Sequence, residues 1–471
     1  MRVNRLPRVS RNSRLHGEHM YRRGGANLEM PATASGALTF IDLFAGAGGL
    51  SLGLMQAGLE GLFAVEKDSD AFATIRANLI DGSRFRYCWP DWLPKEPMDV
   101  ARLVKGYRAN LYDLRGQIDV LAGGPPCQGF SSAGRRRQHD PRNRLFQLYV
   151  QVAEILQPKF VVFENVPGIA VVFDLGKRKR NNPRAVGRPP MPYSERLARR
   201  LSKIGYDVVG FHERADEFGV PQSRTRYLMV GVRRDLGIEI SADVVRGLLA
   251  ESRDKLLASL RLSVPVSLQE AISDLEVVGR QLVPCEDTPG YEQIVYEGPA
   301  THYQHLMNDG AQSPPNSLRL AKHTAATVER LREILRTCKK GVRLSPEDRR
   351  RLGIKKSSTT PLAPDRPSKT VTSLPDDFVH YAEPRILTVR ECARLQSFPD
   401  WFQFQGKYTT GGDRRKVEVP RYTQVANAVP PLLARVIGRA LIQLHLRGQS
   451  GVASLEAGAV PDGSYAVVTE S

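Results

Sequence analysis

The stretch "LTFIDLFAGAGGLSLGLMQAG", residues 38–58, changes character twice. It opens as a β run, passes through a glycine-rich turn and continues with a helical pattern of apolar residues. Gly46, Gly48, Gly49 and Gly53 fall across the junction between strand and helix. Such a turn lets backbone approach a ligand at a helix N-terminus. The next strand, "GLFAVEKD" (61–68), carries Glu66 at its end. A carboxylate there can accept hydrogen bonds from both ribose hydroxyls of an adenosine. On these residues alone NAD, FAD and S-adenosylmethionine all remain open, as does a glycine turn with no ligand.

Outward from this turn the chain alternates. A helical segment (70–79) follows, then irregular sequence rich in Trp and Pro. Strands recur at "IDVLAG" (118–123) and "FVVFENV" (160–166), with the helix "LFQLYVQVAEIL" (145–156) between them. Strand alternating with helix predicts an α/β fold built on a parallel sheet. A basic, Pro-rich insert lies near 174–192, and the pattern resumes with a helix (194–205) and strands at 206–213 and 224–233. From 235 to 365 the periodicity weakens, which predicts a smaller, irregular second domain. Residues 366–447, with two strongly amphipathic helices, return to the first domain, 38–234. Residues 1–37 read as a disordered basic arm and 448–471 as a loose tail. No internal repeat is visible.

The 471 residues are 41% hydrophobic and 25% charged, ordinary for a globular enzyme, but the net charge is +18. Basic clusters recur well beyond the arm, at "GKRKR" (176–180), "RLARR" (196–200) and "EDRRRLGIKK" (347–356). A balance this basic points to a polyanionic partner, nucleic acid first. No run of 18 apolar residues is present, so no membrane partner is expected, and the N-terminus lacks the apolar core of a secretory signal. Both features predict a cytoplasmic protein. The five cysteines (88, 127, 285, 338 and 392) are odd in number and widely spaced. They suit neither a disulfide framework nor a zinc site.

Cys127 stands apart. It follows two prolines in "GGPPCQGFSS" (123–132), directly after a strand. Open α/β sheets build their sites at that strand edge, and a thiol there is a candidate nucleophile. The next apolar strand ends in "FENVPG" (163–168), which places the carboxylate of Glu164 at the same edge. A nucleophile beside an acid suits attack on an electron-poor ring whose nitrogen must be protonated, such as cytosine. "PQSRTR" (221–226) adds Arg224 and Arg226, which alternate along a strand and so share a face.

With these residues in place, the chain resembles the DNA cytosine-5 methyltransferase family, in order, over 38–443. "DLFAGAGGLSLG" is similar to its cofactor motif, "PPCQGFS" to its catalytic motif and "ENV" to the motif carrying the acid. "RNRLF" (142–146), "QSRTR", "RPSKTVTS" (366–373), "TVRECARLQSFPD" (388–400) and "QVANAVPP" (424–431) keep the family's order. The resemblance implies a Rossmann-like, S-adenosyl-L-methionine-dependent domain with a target-recognition domain at 235–365. It implies Cys127 as nucleophile on C6, Glu164 at N3 and the exocyclic amine, and Arg224, with Arg226, holding base and acid. It implies a cofactor pocket of Phe44, Gly46, Gly48, Gly49, Glu66, Asp113, Pro126, Leu145 and Asn427, with Gln424 supporting the Asn427 loop. Two positions depart from the pattern: Tyr112 and Ala426 stand where the family has glycine.

The implied substrate is double-stranded DNA, with the target cytosine flipped out of a short specific sequence. The expected form is a monomer, associated with the nucleoid through DNA, and a cognate restriction endonuclease would act separately. Three alternatives stay open. One is a tRNA cytosine-5 methyltransferase, disfavoured by the size of 235–365. The second is a catalytically silent DNA-binding subunit, disfavoured by intact Cys127, Glu164 and Arg224. The third is a nicotinamide oxidoreductase, which explains only the glycine turn.

Overall fold

The computed structural model describes residues 36–126, 143–171, 191–411, 414 and 418–457. The expectations placed on Cys127, the N-terminal arm before residue 36, most of the basic insert and the tail after 457 lie outside the described residues.

Strand β1 (Thr39–Leu43) leads into helix α1 (Gly49–Gln56), then β2 (Glu60–Val65) and α2 (Ser69–Ile75). Two short helices, α3 (Val100–Gly106) and α4 (Arg108–Asp113), precede β3 (Val120–Gly123). Helix α5 (Asn143–Leu156), β4 (Phe160–Asn165), α6 (Tyr193–Lys203) and β5 (Tyr206–Arg214) follow. The two-residue β6 (Gln222–Ser223) stands before β7 (Thr225–Arg233). These strands, apart from β6, form one sheet in the order β2-β1-β3-β4-β7-β5.

β2, β1, β3 and β4 are parallel, as the alternation predicts. β7 is antiparallel to both β4 and β5. The reason is the short link between β5 and β7, which has no crossover helix and so can only return the chain antiparallel. β1 is buried along its whole length, as expected for a strand covered on both faces. Its Phe40 joins the apolar layer on one face of the sheet and Ile41 the layer on the other. Chain order reverses at β1, with β2 on one side and β3 on the other. Ligands bind at such a switch point, beyond the C-terminal ends of the strands.

Helix α7 (Ala242–Leu260) is followed by α8 (Leu268–Ile272) and the β8–β9 hairpin (Leu282–Pro284, Glu292–Ile294). Next come α9 (His302–Asn308), α10 (Ala325–Thr337) and α11 (Pro346–Arg351), then α12 (Val389–Leu395), α13 (Arg421–Asn427) and α14 (Pro431–Ala457). α7 does not stand apart from the first domain. Val245, Leu248, Leu249 and Leu256 join the main core, and the helix packs along α14. Separate small clusters form only later, one around Leu275, Ile294 and Leu318, the other around Leu331, Ile334 and Leu344. Tyr303 and Met307 of α9 also join the main core.

Helix α14 continues to Ala457, nine residues past the expected start of the tail. The region Arg421–Gln449 is long and apolar enough to cross a membrane, yet most of it is buried, with α14 packed against α1 and α7. Gly53 permits this packing: a Cβ there would sit 2.3 Å from that of Ala434.

Candidate active site

The glycine turn after β1 is braced from below. Gly46 N–H donates to Glu66 Oε2 at 2.9 Å, and Asp68 N–H donates to Glu66 Oε1 at 2.8 Å. Burial pushes the Glu66 carboxyl above the usual range, against the pull of these amides. Phe44 holds φ at 60°, a conformation rare for an aromatic residue and typical of a functional turn. Gly46 and Gly48 are also left-handed, and space is open where a side chain at Gly46 would project. A Cβ at Gly49 would meet the Val429 carbonyl at 2.3 Å, so the turn lies directly against the segment after Asn427.

Under the turn, Asp42 is buried and accepts a hydrogen bond from Ser51 Oγ at 2.5 Å; Tyr87 in turn donates to Ser51 at 2.5 Å. Desolvation pushes the Asp42 carboxyl up to about 7, and its Oδ1 has no hydrogen-bond partner among the described residues. An open glycine turn, a braced acid and a buried carboxylate with a spare acceptor form a cradle that fits a cationic adenosyl ligand.

Asp113 shows no bond to this cradle among the described residues. It is exposed at the end of α4, where its carbonyl accepts from Gln117 Nε2, and the chain then enters β3 from the opposite edge of the sheet. A second acid, Asp99, lies beside the end of β2. Met98 N–H donates to the carbonyl of Glu66 at 2.7 Å, and Asp99 caps α3 by accepting from Arg102 N–H. Its signal was present in the sequence: an N-cap Asp ahead of the apolar periodicity of "VARLV". Pro126 is half-buried at the end of the segment leaving β3, and Leu145 is half-buried in the first turn of α5.

At the other side of the switch point, Glu164 lies near the end of β4, buried, with Arg226 Nε 2.9 Å from its Oε1. Arg226 is buried too. Desolvation raises the Glu164 carboxyl despite the opposing pull of Arg226 and then Arg224. The segment that leads to Cys127 passes against this acid. A Cβ on Gly124 would lie 3.4 Å from Glu164 Oε2, and Asn165 Nδ2 donates to the Pro125 carbonyl at 3.0 Å. Sequence reading missed Asn165, although it stands in the same "ENV".

Arg224 and Arg226 both act on Glu164 through their charge, but their hydrogen bonds differ. Arg224 lies outside both β6 and β7, in a tight turn where its N–H donates to the Gln222 carbonyl at 2.8 Å. Burial still alternates across it, with Gln222, Arg224 and Arg226 buried and Ser223 and Thr225 exposed, so the two arginines share a face as expected. The Arg224 guanidinium is buried and donates to the carbonyls of Ala426 (2.9 Å) and Ala428 (3.1 Å), so it clamps the two residues flanking exposed Asn427. Gln396 adds a bond to the Val425 carbonyl and is itself held by Gln222. Ala426 is helical and needs no left-handed backbone, so alanine is accommodated there. Gln424 faces elsewhere: it accepts from Thr74 Oγ1 and donates to the carbonyls of Gln405 and Val419.

Comparison with known proteins agrees with this layout. A family profile described as C-5 cytosine-specific DNA methylase matches residues 38–443. The Type II methyltransferase M.DdeI of Desulfomicrobium norvegicum is 32% identical over 410 residues, covering 85% of this chain and 87% of the relative. M1.HphI of Haemophilus parahaemolyticus, also a Type II methyltransferase, is 30% identical over 414 residues, covering 87% and 88%. Among solved structures, a protein described as a DNA modification methyltransferase encoded within an E. coli prophage superposes with a TM-score of 0.56 at 26% identity, covering 87% of this chain and 99% of that one. The Rossmann-like sheet, with its braced glycine turn and its buried acid at the switch point, thus belongs to a member of the C-5 cytosine-specific DNA methylase family, a DNA cytosine-5 methyltransferase.

Proposed function

We propose that this enzyme methylates C5 of a cytosine flipped out of a short specific sequence in double-stranded DNA, through a covalent bond from Cys127 to C6. The observation that carries the reading is the buried Glu164–Arg226 pair, 2.9 Å apart, against the segment that delivers Cys127. Glu164, raised by burial, holds a proton more readily than a free carboxyl and donates it toward N3 of the base. Arg226 fixes the orientation of the acid and offers its remaining N–H groups to the base oxygen. The Cys127 thiolate adds to C6, and the electron pair moves to C5. S-adenosyl-L-methionine, held by the cradle, would supply an electrophilic methyl group to C5 and leave as S-adenosyl-L-homocysteine. A base then removes the C5 proton, the Cys127–C6 bond breaks, and N3 returns its proton to Glu164, which restores the ring.

In this scheme Glu66 holds the ribose, Phe44 packs near the adenine, and Gly46, Gly48 and Gly49 let the ligand approach the backbone. Asp99 takes the place first assigned to Asp113 at the adenine amine. Pro126 and Leu145 line the pocket, and the Arg224 clamp presents Asn427 to the methionine end. The enzyme acts as a monomer on nucleoid DNA, with a restriction endonuclease as a separate partner.

The test is transfer of labelled methyl from S-adenosylmethionine to genomic DNA and, in parallel, to tRNA, with the products mapped at base resolution. 5-Methylcytosine in one recurring short DNA sequence is expected. Label on tRNA alone would transfer the reading to RNA. No label on either, with cofactor still bound, would favour a silent DNA-binding subunit.

A further inference from the structure

The β8–β9 hairpin carries Tyr291, and the segment before α13 carries Tyr408. Between these distant stretches of chain lies Arg319. Its Cζ is 4.2 Å from the Tyr291 ring centroid and 3.9 Å from that of Tyr408. Two such contacts hold a guanidinium plane without using any of its N–H donors. The Nε of Arg319 is buried and has no hydrogen-bond partner among the described residues. Lys322 extends the ladder, with Nζ 5.2 Å from the Tyr291 centroid, and is otherwise exposed.

One carboxylate, Asp287, stands nearby, and it is already engaged. It accepts from Tyr408 Oη at 3.0 Å and from Cys285 Sγ at 3.2 Å, and it pairs with Arg421. No ion pair to Arg319 or Lys322 exists among the described residues. The site therefore presents two cations, one of them rigid, that no carboxylate among the described residues pairs. A cation drawn partly out of water is normally paired, so a rigid unpaired one fits an anion brought from outside. Arg421 also places the cluster: it opens α13, whose other end carries Asn427. Seven helical residues span about 10 Å, on the order of three base-pair steps of duplex.

We propose that Arg319 and Lys322 form a phosphodiester-contacting site for the DNA backbone, flanking the pocket that receives the target base. The proposal rests on the DNA reading above, and its test separates the two. Binding of a labelled mixed-sequence duplex is measured between about 50 and 200 mM salt for the full-length protein, Arg319→Gln and Lys322→Gln. Each variant is expected to reduce the slope of log affinity against log salt by about 1 and to weaken binding up to about eightfold at 0.1 M salt. Affinity for S-adenosylmethionine should stay unchanged in both, a readout that a loosened fold would move. Lys322 is exposed, so its variant stands even if the Arg319 variant folds poorly.

Unchanged slopes in both variants, with wild-type protein that binds and methylates duplex, would overturn the phosphate site alone. Slopes that fall on a tRNA probe but not on duplex would also overturn it. Wild-type protein that neither binds nor methylates duplex would bring down the DNA reading and this site with it.

Discussion

Arg226 and Arg319 are both immobilised, and the contrast between them separates the chemistry from the substrate-gripping surface. Arg226 is buried against Glu164, an acid of the fold itself. Arg319 is stacked on tyrosines, and no ion pair holds it among the described residues. Burying a matched pair costs desolvation, and this fold tolerates the cost where an acid must be held in one orientation. Leaving a rigid cation unmatched makes sense where a polyanion arrives from solvent. On this view bonds are made on the closed side of the molecule and grip comes from the open side. The largest effect should then come from the closed side. Cys127→Ala should abolish methyl transfer while S-adenosylmethionine affinity stays within about twofold of wild type, measured by label transfer and calorimetry. A variant that also lost the cofactor would break the division, because Cys127 would then be serving the cradle.

The second effect sharpens the closed side itself. Arg226→Ala strands Glu164 as a buried carboxyl without its nearest counter-charge. Turnover should fall by about 10²–10⁴-fold, with cofactor affinity retained. The sign of the pH effect follows from the pair. Arg226 lowers a Glu164 pKa that burial has raised, so its removal lets the acid keep its proton to higher pH. If protonated Glu164 serves N3, the alkaline fall in activity should move to higher pH in the variant. Arg224→Ala should behave differently. It leaves the carbonyls of Ala426 and Ala428 without their donor, at about 1–3 kcal/mol each. Thermal stability and cofactor affinity should drop together, because the turn carrying Asn427 loosens. A pure turnover defect in Arg224→Ala would return that residue to the base.

What the sequence made legible were the boundaries. The β1 turn, Glu66 and Glu164 each sit where an apolar run ends, and a strand end in an open sheet is a site by topology. Asp113 was harder to place, because a residue at a helix end carries no local mark of which end of the next strand it serves. It closes α4 and precedes β3, and nothing in that spacing tells the two edges of the sheet apart. The bond from Met98 to Glu66, by contrast, ties Asp99 to the working edge, and that bond joins segments the sequence does not connect. Arg224 and Arg226 share a buried face, as alternation expects, but spacing alone could not show that Arg224 bonds the carbonyls of Ala426 and Ala428. The placement of α7 was obscured because its apolar face answers to α14, nearly 200 residues later in the chain. The Arg319 ladder gathers Tyr291, Arg319, Tyr408 and Arg421 from separate segments, and no spacing rule could have assembled it.

The smallest effect tests whether the cradle is matched from within, like the Glu164 side, or completed by its ligand. Both Glu66 oxygens already accept backbone N–H groups, from Gly46 and Asp68. Each carboxylate oxygen can still accept a second hydrogen bond, so the same group can brace the turn and take ribose hydroxyls. Glu66→Gln keeps one acceptor and should weaken S-adenosylmethionine by only a few-fold. Glu66→Ala loses both and should weaken it by about tenfold, equivalent to about 1.4 kcal/mol, read by calorimetry. Equal, small losses in both variants would mean that Glu66 only braces the turn. A graded loss would mean that the ligand itself completes the site, which would place the cradle with Arg319 among the parts of this fold that wait for a partner.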